Sequence, residues 1–315
     1  MRFSYFSNAD NTYHGNPRSV GELLQQIAEQ AIFAETIGMY GAWAGEHHFN
    51  EFGVNASPEI LLTHVLAQTK RIRVMPAVTV LPLHHPLRVA ENWATMDVLS
   101  GGRVDLAVGR GFDKHEYDRF AVSFEQNSAI MAEGLEIIRR SWSEQERWSH
   151  HGAFYQFDDV DIVPKPVQRP LPIHVACFSK PTVDLTCKLG YHMSIAPFAA
   201  GMSFGGVDKM VQYYREGCVT NGHKPGFVTS SIFLHFADTP EREAAARERQ
   251  IRFFKENALP SMRTSASAKT NSYDYWQDMA ARVAAMQPKD LVSGNVLLGS
   301  SQQIVDSVAR FEAMG

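Results

Sequence analysis

Residues 73–111, RVMPAVTVLPLHHPLRVAENWATMDVLSGGRVDLAVGRG, read as strand, helix, strand. Residues 73–80 form a short run with Arg73 as its one charge, rich in valine and short enough for a buried strand. Pro86 then opens a segment of helical period, 86–99, at the first-turn position where proline is tolerated. A second apolar run, 104–108, ends in Gly109-Arg110-Gly111. A strand followed by a helix and another strand is the unit of a parallel α/β sheet.

The same rhythm extends both ways. Upstream, 2–6 reads as a strand, and Leu23, Leu24, Ile27, Ala31, Ala34 and Ile37 share one helical face. Gly38 caps that helix, 42–44 is the next strand and 58–68 the next helix. Downstream, a helix over 123–142 precedes a stretch rich in charge, histidine and proline, 143–169, that reads as an insertion. Strands at 173–177, 192–196 and 229–236 then alternate with helices at 182–189, 207–221 and 240–256. A tract from 261 to about 273, rich in Ser, Ala, Thr and Lys, lacks apolar periodicity and reads as a mobile loop. Helical patterns return at 275–286 and 301–314, with a short apolar run at 295–298 between them. The expected fold is a single α/β domain over 1–315, a (β/α)8 TIM-type barrel with insertions. Its eighth strand is either the 295–298 run or lies beyond residue 315.

Composition narrows the partners. The 315 residues are 44% hydrophobic and 20% charged, and 30 basic against 34 acidic residues give a net charge of -4. No concentrated basic field is present, so neither nucleic acid nor a membrane surface is expected. No apolar run approaches the roughly 20 residues of a membrane span. Cys177, Cys187 and Cys218 form neither a CxxC pair nor metal-ligand spacing, which fits a reducing, cytoplasmic setting.

In a β/α barrel the reactive residues sit just after the strands. Glu46-His47-His48 follows the second strand. Neighbouring side chains on extended backbone point to opposite faces, so the two histidines do not chelate one ion without a bend. His84-His85 and His150-His151 lie in loops with no evident third ligand, and no metal site is expected. His47 is favoured as functional and His48 as structural. Gly109-Arg110-Gly111 offers a tight turn and a guanidinium fork, which suit a phosphate or, nearly as well, pairing with a carboxylate such as Glu116. Ser179 and Thr182 open a helix, where they suit an anion or a simple cap. Taken together, the two strand ends favour a phosphorylated cofactor. GxGxxG after the first strand, GxxxxGK[ST] and GxSxG are all absent, which disfavours a Rossmann dinucleotide, a nucleoside triphosphate and a nucleophile-elbow hydrolase.

Gly45-Glu46-His47-His48-Phe49-Asn50-Glu51-Phe52-Gly53, Val80-Leu81-Pro82 with His85-Pro86 and Glu91, Leu99-Ser100-Gly101-Gly102-Arg103 and Gly109-Arg110-Gly111 occur in this order. Together they resemble the bacterial luciferase-like flavin monooxygenases, with high specificity from Met1 to about Gly111 and more weakly beyond. The resemblance implies that His47 and Glu116 are catalytic. It implies that Glu46, Ala77, Val78, Arg110, Cys177, Ser179 and Thr182 bind the cofactor, with Ala77–Val78 a cis peptide under the flavin ring and Arg110 on the phosphate. Phe178 and Pro181 stand where the family places hydroxyls, which moves the phosphate contacts to Ser179, Thr182 or backbone N–H groups. Gly109 stands where the luciferase catalytic subunit has a reactive cysteine.

The activity so implied is a two-component monooxygenase. Reduced FMN from a separate flavin reductase meets dioxygen, and a flavin hydroperoxide oxygenates a small organic substrate. His47 acts in proton transfer, for which imidazole is suited near neutral pH. Within the same fold the alternatives are a deazaflavin-dependent oxidoreductase and a noncatalytic flavin-binding subunit. A homodimer is expected through helices 58–68 and 86–99, with Ala56, Ala67, Ala90 and Ala94 at the contact.

Overall fold

A computed structural model describes the chain except residues 13–17, 198–202, 267–273, 292–295 and 315. It divides into two compact units, residues 2–174 and residues 175–315 with Met1.

In the first unit, β1 (Ser4–Ser7), β2 (Gly41–Ala44) and β3 (Arg73–Pro76) pair side by side, all parallel. Ala44 lies opposite both Ser7 and Pro76, so the three strands end level. β4 (Thr79–Val80) pairs in parallel with β5 (Leu106–Gly109), and a bridge from Val74 to Val104 ties β3 to the same segment. All four residues of β2 and of β5 are buried, the mark of strands covered on both faces. Trp93, Tyr117, Phe124, Leu62, Met75 and Leu106 are among the largest fully buried side chains.

Helix boundaries follow from capping chemistry. Ser19 and Glu22 form a reciprocal box that opens α1 (Val20–Thr36). Pro58 and Pro86 open α2 (Pro58–Gln68) and α3 (Pro86–Ser100), and Gly101 closes α3 at φ 69°. Asp113 caps α4 (Lys114–Phe120) by accepting from the His115 N–H. That helix was not expected, because seven mostly polar residues carry too little apolar period. α5 begins later than expected and spans Asn127–Ser143.

Two further expectations change in this unit. The single strand over 73–80 is broken at Ala77–Val78, whose peptide bond is cis, giving β3 and β4. The 143–169 insertion carries an antiparallel hairpin of β6 (Trp148–His151) and β7 (Gln156–Val160). Glu133 on α5 fastens the hairpin turn by accepting the backbone N–H groups of Ala153, Phe154 and Tyr155. Ala90 and Ala94 are fully buried, and the Trp142 indole donates to the Ala90 carbonyl, so these two alanines face the chain's own core. Ile60, Val98 and Leu99 are the large exposed hydrophobic side chains on α2 and α3.

The division between units falls inside β8 (Ile173–Ala176). In the second unit, α6 (Lys180–Leu189) leads to β9 (His192–Ile195), which pairs in parallel with β10 (Val228–Ser230). α7 (Val207–Thr220) lies between those two strands in sequence. The expected strand over 229–236 is instead two, β10 and β11 (Phe233–Phe236), in separate sheets. β11 pairs in parallel with β12 (Val296–Gly299), so the 295–298 run is a strand from Val296 onward, with Asn295 outside the described residues.

α8 (Pro240–Phe253) passes through a π-turn, Phe254–Ala258, into α9 (Leu259–Ala266). Residues 261–266 are therefore helical rather than loop, while 267–273 lie outside the described residues. Buried serines account for the difference: Ser261 and Ser265 pack inward beside Met262, and Ser265 Oγ donates to the Ser261 carbonyl one turn back, so the inward face shows little apolar period. α10 (Asp274–Ala285) packs on α9, and α11 (Ser301–Ala313) follows β12. Among the described residues, no helix is long and apolar enough to cross a membrane.

Candidate functional site

Gly45, Glu46, His47 and His48 follow β2 directly, at the level end of the first three strands. His47 Nδ1 lies 3.1 Å from Glu116 Oε1, and the same oxygen accepts the His48 backbone N–H at 2.9 Å. Glu116 reaches this point from α4, whose start Asp113 sets, and its side chain is only 1% exposed. Phe52 and Phe112 present T-shaped ring contacts to the His47 imidazole, with centroids at 4.6 and 6.0 Å. Gly53 makes room for that ring: a Cβ there would lie 2.7 Å from His47 Cδ2 and 2.7 Å from the Asn8 carbonyl oxygen.

His48 turns to a different partner, as alternation along extended backbone requires. Its Nε2 lies 2.9 Å from Glu46 Oε1, and His84 Nε2 lies 2.7 Å from the same oxygen. Glu46 Oε2 accepts the Val80 N–H at 3.2 Å. Burial opposes ionisation of Glu46, yet the two imidazoles outweigh it and hold the carboxyl below its ordinary value. For His84, burial disfavours the charged ring, but hydrogen bonding and attraction to Glu46 raise it above the ordinary value. The expectation that His84 lacks partner ligands is thus corrected, because the short 3-10 turn Leu81–Leu83 delivers it to Glu46 and His48.

One strand over, Ala77 and Val78 are partly open and pack against Trp43, Met75 and Ala107. The Ala77 N–H donates to the Ala44 carbonyl at 2.7 Å, which fixes this apolar patch beside Gly45. Arg110 follows β5 with only 9% of its surface exposed and donates to Ser128 Oγ at 2.9 Å. Its carbonyl accepts the Tyr117 hydroxyl. Gly111 has φ +64°, and a Cβ there would meet Val80 Cγ1 at 2.8 Å, so the turn requires glycine.

In the second unit, the Cys177 thiol is buried, lies 3.2 Å from Thr186 Oγ1 and is pushed by burial to about 12. Ser179 begins α6, but its Oγ lies 3.1 Å from Thr182 Oγ1 and makes no cap to a backbone N–H. In the first unit, the structure joins His47 directly to Glu116 and places Glu46, Ala77, Val78 and Arg110 at strand ends. Sequence reasoning missed His84, Ser128 and Gly53. The Glu46/His48 spacing of two hinted at a shared partner, whereas no local signal marked Ser128.

A family model described as luciferase-like monooxygenase matches residues 1–315. The oxygenase component of a flavin-dependent trigonelline monooxygenase of Acinetobacter baylyi is 23% identical over 320 residues, covering 100% of this chain and 87% of that protein. An uncharacterised protein of Sinorhizobium fredii is 33% identical over 204 residues, a match spanning 64% of this chain and 57% of its own length. The fold is similar to that of the oxygenating constituent of 3,6-diketocamphane monooxygenase of Pseudomonas putida, a type II Baeyer–Villiger monooxygenase in complex with FMN. That likeness has a TM-score of 0.73 at 19% identity, covering 100% of this chain and 89% of the other. An F420-dependent secondary alcohol dehydrogenase has a similar fold, with a TM-score of 0.74 at 19% identity over 100% of this chain and 90% of the other. The α/β fold is therefore the luciferase-like one of the TIM-barrel type.

Proposed function

The chain belongs to the luciferase-like monooxygenases, a family of oxidoreductase enzymes, and from that premise we propose that it is the oxygenase of a two-component flavin-dependent system. It takes reduced FMN from a separate flavin reductase and uses dioxygen on a small organic substrate. The observation that carries this reading is the His47–Glu116 pair, its acid buried and its imidazole part-buried, at the strand end next to the partly open apolar pair Ala77 and Val78. An apolar surface with an imidazole at the neighbouring strand end fits a planar ring system, and a mostly buried guanidinium at the next strand end fits its phosphate.

When bound, reduced flavin supplies the electrons and the reactivity toward dioxygen. The chain supplies the surroundings. Glu116 orients His47 through Nδ1, leaving Nε2 as the nitrogen that takes up or returns a proton. Phe52 and Phe112 keep water from that imidazole. Glu46 steadies the backbone at Val80, just beyond the apolar pair. Arg110 holds the phosphate, and in the second unit Ser179 and Thr182 offer hydroxyls to an anion. We further propose a single cytoplasmic domain that pairs as a homodimer through α2 and α3, where Ile60 and Leu99 are exposed.

The test is anaerobic titration of the purified chain with oxidised and reduced FMN, followed by oxygen uptake in a substrate screen. Binding of reduced FMN with substrate-linked oxygen consumption is expected, and no affinity for either redox form overturns the reading. A deazaflavin-dependent oxidoreductase is the second reading, favoured by the fold likeness to the F420-dependent dehydrogenase. Tight deazaflavin binding and hydride transfer without oxygen consumption would select it.

A further inference from the structure

Glu46, His48 and His84 place one carboxylate oxygen and two imidazole nitrogens within 4.8 Å of one another. We propose that these three residues form a binding site for one divalent transition-metal ion of the Zn2+ class, separate in its chemistry from the flavin reading. Two imidazoles and one carboxylate match the borderline character of such ions, and three protein ligands leave a fourth position for water.

The geometry supports this in four respects. Glu46 and His48 are two residues apart, and their side chains meet at 2.9 Å. His84 comes from a different segment, after the 3-10 turn, so the ligands clasp two strand-end loops. Both Nε2 atoms already aim at Oε1, at 2.9 and 2.7 Å. Metal–ligand bonds near 2.1 Å in a tetrahedron set ligand atoms about 3.4 Å apart, so the two nitrogen–oxygen distances lengthen by about 0.5–0.7 Å to admit an ion. The second oxygen of Glu46 is held by the Val80 N–H, which fixes the carboxylate as an outer-shell partner does.

Access is from one side. The Glu46 side chain is 0% and His48 9% exposed, but His84 is 28% exposed and borders a cavity of about 270 Å³. Glu59 lines the same cavity and adds negative charge toward an entering cation, while Arg88 opposes it.

The experiment is equilibrium dialysis of the metal-stripped chain against Zn2+ with elemental analysis, repeated with Co2+ to read the ligand-field spectrum. One ion per chain and a four- or five-coordinate Co2+ spectrum are expected. His84→Gln should weaken Zn2+ by more than the roughly 10–100-fold that outer-shell losses produce. His84 is partly exposed, so this variant is expected to fold, and circular dichroism checks that it does. Glu46→Gln gives a second reading at a different ligand. His151→Ala serves as the control, because His151–Asp158 on the hairpin is a separate histidine–carboxylate pair, as is His150 with Glu133 of α5. The proposal is overturned by no ion retained at neutral pH, or by binding that survives His84→Gln or is lost in His151→Ala.

Discussion

The Glu116 carboxylate holds two groups of the histidine tract through one oxygen: His47 Nδ1 at 3.1 Å and the His48 backbone N–H at 2.9 Å. One buried acid therefore sets both the orientation of the imidazole and the path of the chain beneath it. Glu116→Gln keeps the shape but exchanges a charged acceptor for a neutral amide. Turnover with reduced FMN should fall by about 100-fold, the scale of general acid–base assistance, with flavin affinity little changed. Parallel measurement of kcat and of flavin binding checks this; equal losses in both would assign Glu116 to cofactor binding instead.

Arg110 is the test of phosphate recognition. Replacing it with methionine retains the packing of the stem and removes the donors, including the one to Ser128 Oγ. A charge-assisted hydrogen bond of about 1.5–3 kcal/mol corresponds to roughly 10–100-fold weaker FMN binding. Riboflavin, which lacks the phosphate, should bind the variant and the parent alike. Fluorescence titration with both flavins makes the comparison, and a parallel loss for riboflavin would place Arg110 elsewhere.

The sequence carried the strand–helix alternation because β2 and β5 are buried and apolar throughout and helices such as α1 and α5 keep one apolar face. Pro58, Pro86 and Gly101 marked helix ends through chemistry that is local, and local chemistry is what a sequence displays. The hairpin of the insertion was hidden because its strands are largely exposed and polar, with Glu133 on a distant helix holding the turn. Helix α9 was hidden because its serines satisfy themselves within the helix. At the site, His47 was visible through its place after a strand. The partnership of Glu46 with His84 spans 38 residues and exists only after folding.

Stability should show a carboxylate clamp at Glu35. Its oxygens accept the backbone N–H groups of Lys70, Arg71 and Ile72, fastening the end of α1 to the turn before β3. Burial opposes its ionisation, but these bonds and the Arg71 charge outweigh it, holding the carboxyl below its ordinary value. A lowered folded-state value means the contribution is fully present above about pH 4.5 and is lost as pH falls through the folded-state value. Glu35→Ala should therefore lose about 1–3 kcal/mol at neutral pH. Urea midpoints of parent and variant should converge on acidification; a gap that does not shrink as pH falls would rule out the ionised clamp.

Gly53 gives the most local test of how the fold places His47. An alanine Cβ would lie 2.7 Å from both the Asn8 carbonyl oxygen and His47 Cδ2, closer than real Cβ contacts come. Asn8 contributes backbone there, so the ring is the part that yields, and its alignment with Glu116 is lost. Gly53→Ala should reduce stability by about 1–3 kcal/mol through overpacking and lower turnover, with a shifted His47 ring resonance in NMR spectra. Gly21, near the start of α1, is the control, because a Cβ there meets nothing within 4 Å. Gly21→Ala should be neutral or stabilising by up to about 1 kcal/mol. If both alanines leave melting temperature, turnover and the His47 resonance unchanged, the imidazole is not held where the contacts of Gly53 require.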